Sequence, residues 1–303
     1  MYTPLPLLLL FIFVLSSPMT GQERVAYLSG EDRDHTLHSS TFTGIKEVKF
    51  ELDGGIILVE AVLNNELQTF ILDSGAPGLV LNNFYKKGKK ETISGINGAV
   101  DAYSVKIENF QWAGIIYSSL EAISMDLSHL ESMTKRKISG LIGYDLLKDF
   151  ELLLDYGSQA IQLKSMETIN TAQPVVSFPL SFENHLPVIE AVIGKEKLRL
   201  GLDTGAEINV LDDRLSTRIA SVASNPQPYS KIYGVGEQKK TAHIVKVALT
   251  KVARAAYRQM EYVLTDFASI NNATKIDGIL GFPFLSSCKF SIDFKSQQLH
   301  VWR

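Results

Sequence analysis

Phe70-Ile71-Leu72-Asp73-Ser74-Gly75-Ala76 returns further along the chain as Leu200-Gly201-Leu202-Asp203-Thr204-Gly205-Ala206. A matched piece precedes each copy, Val59-Glu60-Ala61-Val62 and Ile189-Glu190-Ala191-Val192. Glu60 to Glu190 and Asp73 to Asp203 are both steps of 130 positions, so the pieces stay in register without a gap. Further on, Ile138-Ser139-Gly140-Leu141-Ile142-Gly143 returns as Ile276-Asp277-Gly278-Ile279-Leu280-Gly281. Asp155-Tyr156-Gly157-Ser158-Gln159 likewise returns as Asp293-Phe294-Lys295-Ser296-Gln297. These later pieces stand 138 apart (Gly140 to Gly278, Asp155 to Asp293), which places eight extra residues in the second copy. One structural unit is used twice.

From Lys46 onward the texture is short runs of Val, Ile, Leu, Phe and Thr punctuated by Gly, Asn and Asp. That is the pattern of an all-β protein. The repeat divides it into lobes at 45–165 and 175–303, joined by a polar linker at 166–174 that ends in Pro174. Each lobe is expected to run from an alternating strand ending at its Asp, through a middle hairpin, to the Gly-bearing strand. A last hairpin, at Tyr156-Gly157-Ser158 or Phe294-Lys295-Ser296, is expected to close each lobe. Helices are few and short, around Tyr144 to Phe150 and Asp212 to Ala220.

The chain starts differently. Leu7 to Leu15 is apolar and is followed by Ser16, Ser17 and Pro18, the pattern of a signal peptide over 1–21. It is too short to span a bilayer comfortably. No Lys or Arg precedes it. Residues 22–44 are polar and mixed in charge, and read as a leader or a pro-segment. The expectation is an exported protein, periplasmic or secreted, whose mature chain has no stable membrane span.

Composition removes several function classes. Formal net charge is −3 over 303 residues, which gives a nucleic-acid partner no electrostatic support. The runs Lys86-Lys87-Gly88-Lys89-Lys90 and Lys135-Arg136-Lys137 read as solvated loops. One cysteine, Cys288, excludes an intrachain disulfide and any multi-cysteine metal site; its apolar neighbours suit a small buried hydrophobe. The six histidines show no metal-ligand spacing, and no serine sits in a Gly-x-Ser-x-Gly elbow. Gly234-Val235-Gly236 lacks the third glycine and strand–helix setting of a nucleotide loop. No cofactor and no metal are expected.

Asp73 alone, after an apolar strand and before Ser-Gly, is an ordinary turn residue bonding nearby N–H groups. The same holds for Asp203 alone. As a pair they end equivalent strands of related halves, and a pseudo-two-fold packing brings them face to face. Adjacent carboxyls cannot both ionise cheaply and share a proton over a wide acidic range. One is then a base for water and the other an acid for a carbonyl oxygen, the combination that peptide hydrolysis without a metal or covalent intermediate requires.

The unit apolar-apolar-Asp-Ser/Thr-Gly-Ala, with its Ile-x-Gly-apolar-apolar-Gly partner, resembles the retropepsin-like aspartic protease family. Its duplication in one chain is similar to pepsin-like enzymes and two-lobed bacterial relatives. The resemblance implies two β-barrel lobes around a cleft, and an aspartic-type endopeptidase acting on an extended peptide or protein, monomeric because both halves lie in one chain. It implies that Asp73 and Asp203 hold the attacking water, while the hydroxyls of Ser74 and Thr204 bond across to the opposite lobe's backbone. Gly75 and Gly205 permit the tight path after each Asp, and Ala76 and Ala206 keep the substrate side small. The strands bearing Gly140 and Gly278 are implied to pass close to the catalytic loops, where a larger side chain would intrude. A flap over the cleft is expected at Gly95 and Gly98, with a second at Tyr233, Gly234 and Gly236. The sequence departs at Pro77, where an acidic residue is usual, whereas Glu207 keeps one. Tyr103 and Tyr233 are the candidates for a flap tyrosine. Two other readings stay open: a catalytically silent peptide-binding protein on the same fold, and an exported β-protein whose Asp residues only cap turns.

Overall fold

The computed structural model describes residues 42–82, 89–95, 98–165, 167–168, 173–229, 232–234, 242–252, 254–267 and 274–302, with short stretches at 8–10, 14–15 and 38–39. The chain is built almost entirely of β-strands, with a few helices of seven residues or fewer among the described residues.

Local sequence explains the first hairpin of each half. Ile56–Leu63 and Glu66–Leu72 are joined by Asn64 and Asn65 at φ 52° and 65°, the left-handed pair that a two-residue turn requires and asparagine tolerates. Leu186–Ile193 and Glu196–Leu202 are joined through Gly194 at φ 62°. Along Ile56–Leu63 and Leu186–Ile193 the burial alternation is the same, only Glu60 and Glu190 being fully exposed.

In one large sheet the strands run Ile56–Leu63, Glu66–Leu72, Gly140–Ile142, Leu79–Asn82, Leu120–Met125, Gly98–Ile107. In another they run Leu186–Ile193, Glu196–Leu202, Gly278–Leu280, Val210–Asp212, Ala255–Thr265, Ala242–Val252. In both, the Gly-bearing strand lies parallel to the Asp-bearing strand and antiparallel to the next. Phe70, Phe110, Trp112 and Tyr117 are among the largest fully buried side chains, and Tyr262 and Phe267 join them from the other sheet.

The last hairpins do not close their own halves. Phe150–Asp155 pairs antiparallel with Lys289–Asp293, opposing Glu151 to Asp293 and Leu154 to Phe290. A six-stranded sheet results, in the order Val176–Pro179, Gln298–Trp302, Lys289–Asp293, Phe150–Asp155, Ala160–Ser165, Ile45–Lys49. The physical reason is edge satisfaction: each hairpin would otherwise carry an unpaired row of N–H and C=O groups. The pairing also buries Glu151, which takes a hydrogen bond from Ser291 Oγ at 2.6 Å and an ion pair from Lys164 at 3.0 Å.

The boundary at 45 also shifts. Phe42 stacks on Phe150 with centroids 5.4 Å apart. Gly44 N–H donates to Thr168 Oγ1 at 2.9 Å, and that hydroxyl donates to Gly44 O at 3.1 Å. The end of the leader and part of the linker are therefore tied together. The helices lie at Tyr144–Leu147 and at Asp213–Leu215 running into Ser216–Ile219, with a further one at Ser128–Thr134 that ends on left-handed Lys135. Among the described residues no helix is long and apolar enough to cross a membrane. Within the apolar N-terminal run, Leu8–Leu10 pairs parallel with Ile232–Gly234, and Val14–Leu15 pairs antiparallel with Ile93 and Ser94.

Candidate functional site

Each Asp leaves its strand on a backbone bond to the Gly-bearing strand. Asp73 N–H donates to Ile142 O at 2.9 Å, and Asp203 N–H to Leu280 O at 3.1 Å. The next residues turn back on the carboxyl: Gly75 N–H donates to Asp73 Oδ1 and Gly205 N–H to Asp203 Oδ1, each at 2.8 Å. Two loops of one design are thereby fixed.

The loops are bolted to one another. Ser74 N–H donates to Thr204 Oγ1 at 2.9 Å, and Thr204 N–H donates to Ser74 Oγ at 3.0 Å. Ser74 Oγ donates to Leu202 O at 3.0 Å, and Thr204 Oγ1 donates to Leu72 O at 2.9 Å. All four bonds are buried, so each hydroxyl both donates and accepts across the junction. The carboxyls follow. A Cβ added at Gly205 would stand 2.7 Å from Asp73 Cγ, so the Asp73 carboxyl lies directly on the opposite loop. Asp73 and Asp203 are fully buried, and their Oδ2 atoms have no hydrogen-bond partner from a protein donor among the described residues. Those two oxygens are the free chemistry of the site.

Burial is the largest influence on both carboxyls and pushes their proton affinity up. Asp73 is raised well above the usual carboxylate range, with the charge of Asp203 as the next cause. Asp203 is raised to about 7, against hydrogen bonds from Gly205 and Gly75 that favour its charged form. The two carboxyls influence one another and act as one titrating pair that holds a proton where isolated aspartates would not.

The glycines of each Gly-bearing segment divide the work. A Cβ at Gly140 would meet Val80 O at 2.0 Å and one at Gly278 would meet Val210 O at 2.3 Å, so these press on the neighbouring strand. The contact with the Asp loop belongs to Gly143 and Gly281, where a Cβ would meet Ala76 O at 2.4 Å and Ala206 O at 2.5 Å. The reason is reach along the strand: three residues further on, the chain passes the end of the Asp loop, and Tyr144 and Phe282 N–H donate to Ala76 and Ala206 O. Ala76 and Ala206 are themselves fully buried.

The hairpin of the first half pairs Gly95 with Gly98 at its tip, with residues 96 and 97 outside the described residues. In the second half Tyr233 and Gly234 belong to the Ile232–Gly234 strand, and Gly236 lies outside the described residues. Tyr103 sits on the Gly98–Ile107 strand opposite Lys90 and Ser124. Pro77 O accepts from Asp145 N–H at 3.0 Å, and Glu207 Oε1 lies 3.0 Å from a Cβ built on Gly54. Leu8–Leu10 pairs with the Ile232–Gly234 strand and Val14–Leu15 with the first-half hairpin.

Two residues near the loops escaped the sequence reading. Asn209 is fully buried; its Oδ1 accepts from Gly281 N–H at 3.1 Å and its Nδ2 donates to Glu261 O at 3.2 Å. His185 places Nε2 2.7 Å from Gly75 O. The 130-position step sets Leu79 against Asn209 and Gly55 against His185, so the repeat carried no signal for either. Cys288 is half-buried against the core, and burial pushes its thiol up, away from the thiolate a nucleophile needs. Among the described residues no group of three or more His, Cys, Asp or Glu could hold a metal ion.

No curated protein matches the chain. Residues 189–284, which include Asp203-Thr204-Gly205 and Gly278 to Gly281, match the family model described as Aspartyl protease, and it is an aspartyl protease family that this match supports.

Proposed function

We propose that the chain is an exported aspartic-type endopeptidase, formed from two equivalent lobes that each supply one catalytic carboxyl. The observation that carries this reading is the buried pair Asp73 and Asp203, held on matched loops with raised proton affinity. With one proton shared, the carboxylate takes a proton from a water molecule as its oxygen attacks the peptide carbonyl carbon. The protonated partner gives its hydrogen to the carbonyl oxygen, producing a neutral gem-diol. Transfer of a proton from a carboxyl to the amide nitrogen, while a gem-diol hydroxyl gives its proton to the other carboxylate, then breaks the C–N bond and leaves the pair with its single proton.

Ser74 and Thr204 keep the loops at fixed separation through four reciprocal bonds, so the geometry is set before substrate arrives. The strands Lys89–Gly95 and Ile232–Gly234 suit recognition of an extended peptide by strand addition. That Leu8–Leu10 and Val14–Leu15 pair with these strands supports it. The signal-like run at 1–21 is what supports export in this reading.

Digestion of a peptide library across pH 3 to 8 tests the reading, with D73N and D203N alongside. The wild type cleaves best at acidic to mildly acidic pH, and each Asn variant loses about 10³-fold or more while keeping its fold. Binding of peptides by the wild type with no cleavage at any of these pH values sinks the peptidase and leaves a peptide-binding groove.

A further inference from the structure

One side-chain bond to a carboxyl loop has no counterpart at the matching position of the other half. His185 stands in the turn between Ser181–Glu183 and Leu186–Ile193, just after left-handed Asn184, and reaches out of the second half into the first. Its Nε2 lies 2.7 Å from Gly75 O. A carbonyl only accepts, so Nε2 carries the hydrogen. The position that corresponds to it in the first half is Gly55, which offers no side chain to the second loop. Gly55 sits at φ 107°, and a Cβ there would lie 2.9 Å from Phe282 Cγ. The place is filled by an aromatic ring.

We propose that His185 is a positioning residue for the Asp73 loop, and that it makes the two carboxyls of the pair unequal. The inference rests on the peptidase reading. Gly75 O and Ala76 N–H belong to one peptide unit, so a donor on the oxygen polarises the N–H at its other end. Ala76 N–H is one of the groups that favour the charged form of Asp73. An imidazole on Gly75 O therefore orients the peptide plane and strengthens its pull on Asp73, and the second loop has no counterpart. Asp145, in the Tyr144–Leu147 helix, is the charged group that faces the ring. Burial favours the neutral imidazole, which keeps the Nε2 hydrogen in place.

Two variants of the full chain separate donation from packing. H185F keeps a ring but removes the donor, and H185Q replaces the ring with an amide N–H. H185F is expected to lower kcat roughly 10-fold with KM within about twofold, because a misoriented loop costs rate more than binding. H185Q is expected to stay within about threefold of the wild type, since its N–H can reach the same oxygen. H185L stands in as the donor-free variant should H185F fail to fold, as read by its thermal melt. A donor-free variant with wild-type kcat overturns the proposal, and so does equal loss in H185Q and H185F. D203N, assayed in parallel, separates the two failures. Cleavage by D203N sinks the peptidase reading itself, whereas an inactive D203N beside a fully active H185F sinks only the role of His185.

Discussion

At Asp73 and Asp203 the same burial that raises proton affinity also makes stability depend on pH. A carboxyl whose folded pKa lies above its unfolded value binds its proton more tightly in the native state. Its contribution is complete below about pH 4, the ordinary carboxylate value, and is lost as pH rises towards the folded value of about 7 for Asp203. The wild type should therefore melt at progressively lower temperature from pH 4 to pH 8. D203N, with no proton to lose, should flatten that slope and melt higher than the wild type at pH 8, by roughly a few degrees. Calorimetry over the pH series checks this; a D203N melt that falls with pH as steeply as the wild type contradicts it. Activity should follow the singly protonated pair, falling on the acid side as the pair takes up its second proton and on the alkaline side as it loses its last. In the sequence these two residues were legible because each ends the same apolar strand at one fixed step. His185 and Asn209 were not, since each is unique to one half and acts on the backbone of a loop remote in sequence.

Strands meet here at distances that only glycine permits. Gly140 runs antiparallel to Leu79–Asn82, so close that a methyl group would lie 2.0 Å from Val80 O. G140A must push two hydrogen-bonded strands apart and should cost about 3 kcal/mol or more in chemical denaturation. Gly157 is the control, because a Cβ there meets only Asp155 Oδ1 at an ordinary 3.4 Å, and G157A should change stability by under about 1 kcal/mol. Equal effects from the two substitutions would refute the close-approach argument. The Gly-bearing strand could be read from its repeat, but not the identity of what it touches. A repeat reports that two segments share an environment and is silent about which neighbour supplies it. For that reason the strand could be set beside the Asp loop, but Gly143 and Gly281 could not be named as its points of contact. The Ser128–Thr134 helix was missed for a simpler reason: one buried residue, Leu130, gives no periodicity to read.

Across the whole molecule, all-β class and internal duplication were evident from texture and register, yet the joining of the halves was not. Each closing hairpin reads as self-contained, and only three dimensions show Phe150–Asp155 laid against Lys289–Asp293. Three strands from each half make that sheet, and the four bonds that Ser74 and Thr204 make across the junction add a second attachment. A protease site introduced at 169–172 and then cut should leave two fragments that co-elute on size exclusion and separate only in denaturant. Spontaneous separation in native buffer would show that the covalent link, and not the shared sheet, holds the halves.

That shared sheet limits how a substrate can reach the carboxyls. A hydrogen-bonded floor does not gape as a clam shell does, because opening it would break a whole ladder at once. On the proposed reading, admission would fall to the hairpin whose tip the paired glycines at 95 and 98 mark. If the chain is the peptidase proposed, a polypeptide would have to be threaded beneath that hairpin as a single slack strand, which would make compact globules poor victims and unravelled or tail-bearing chains the natural prey.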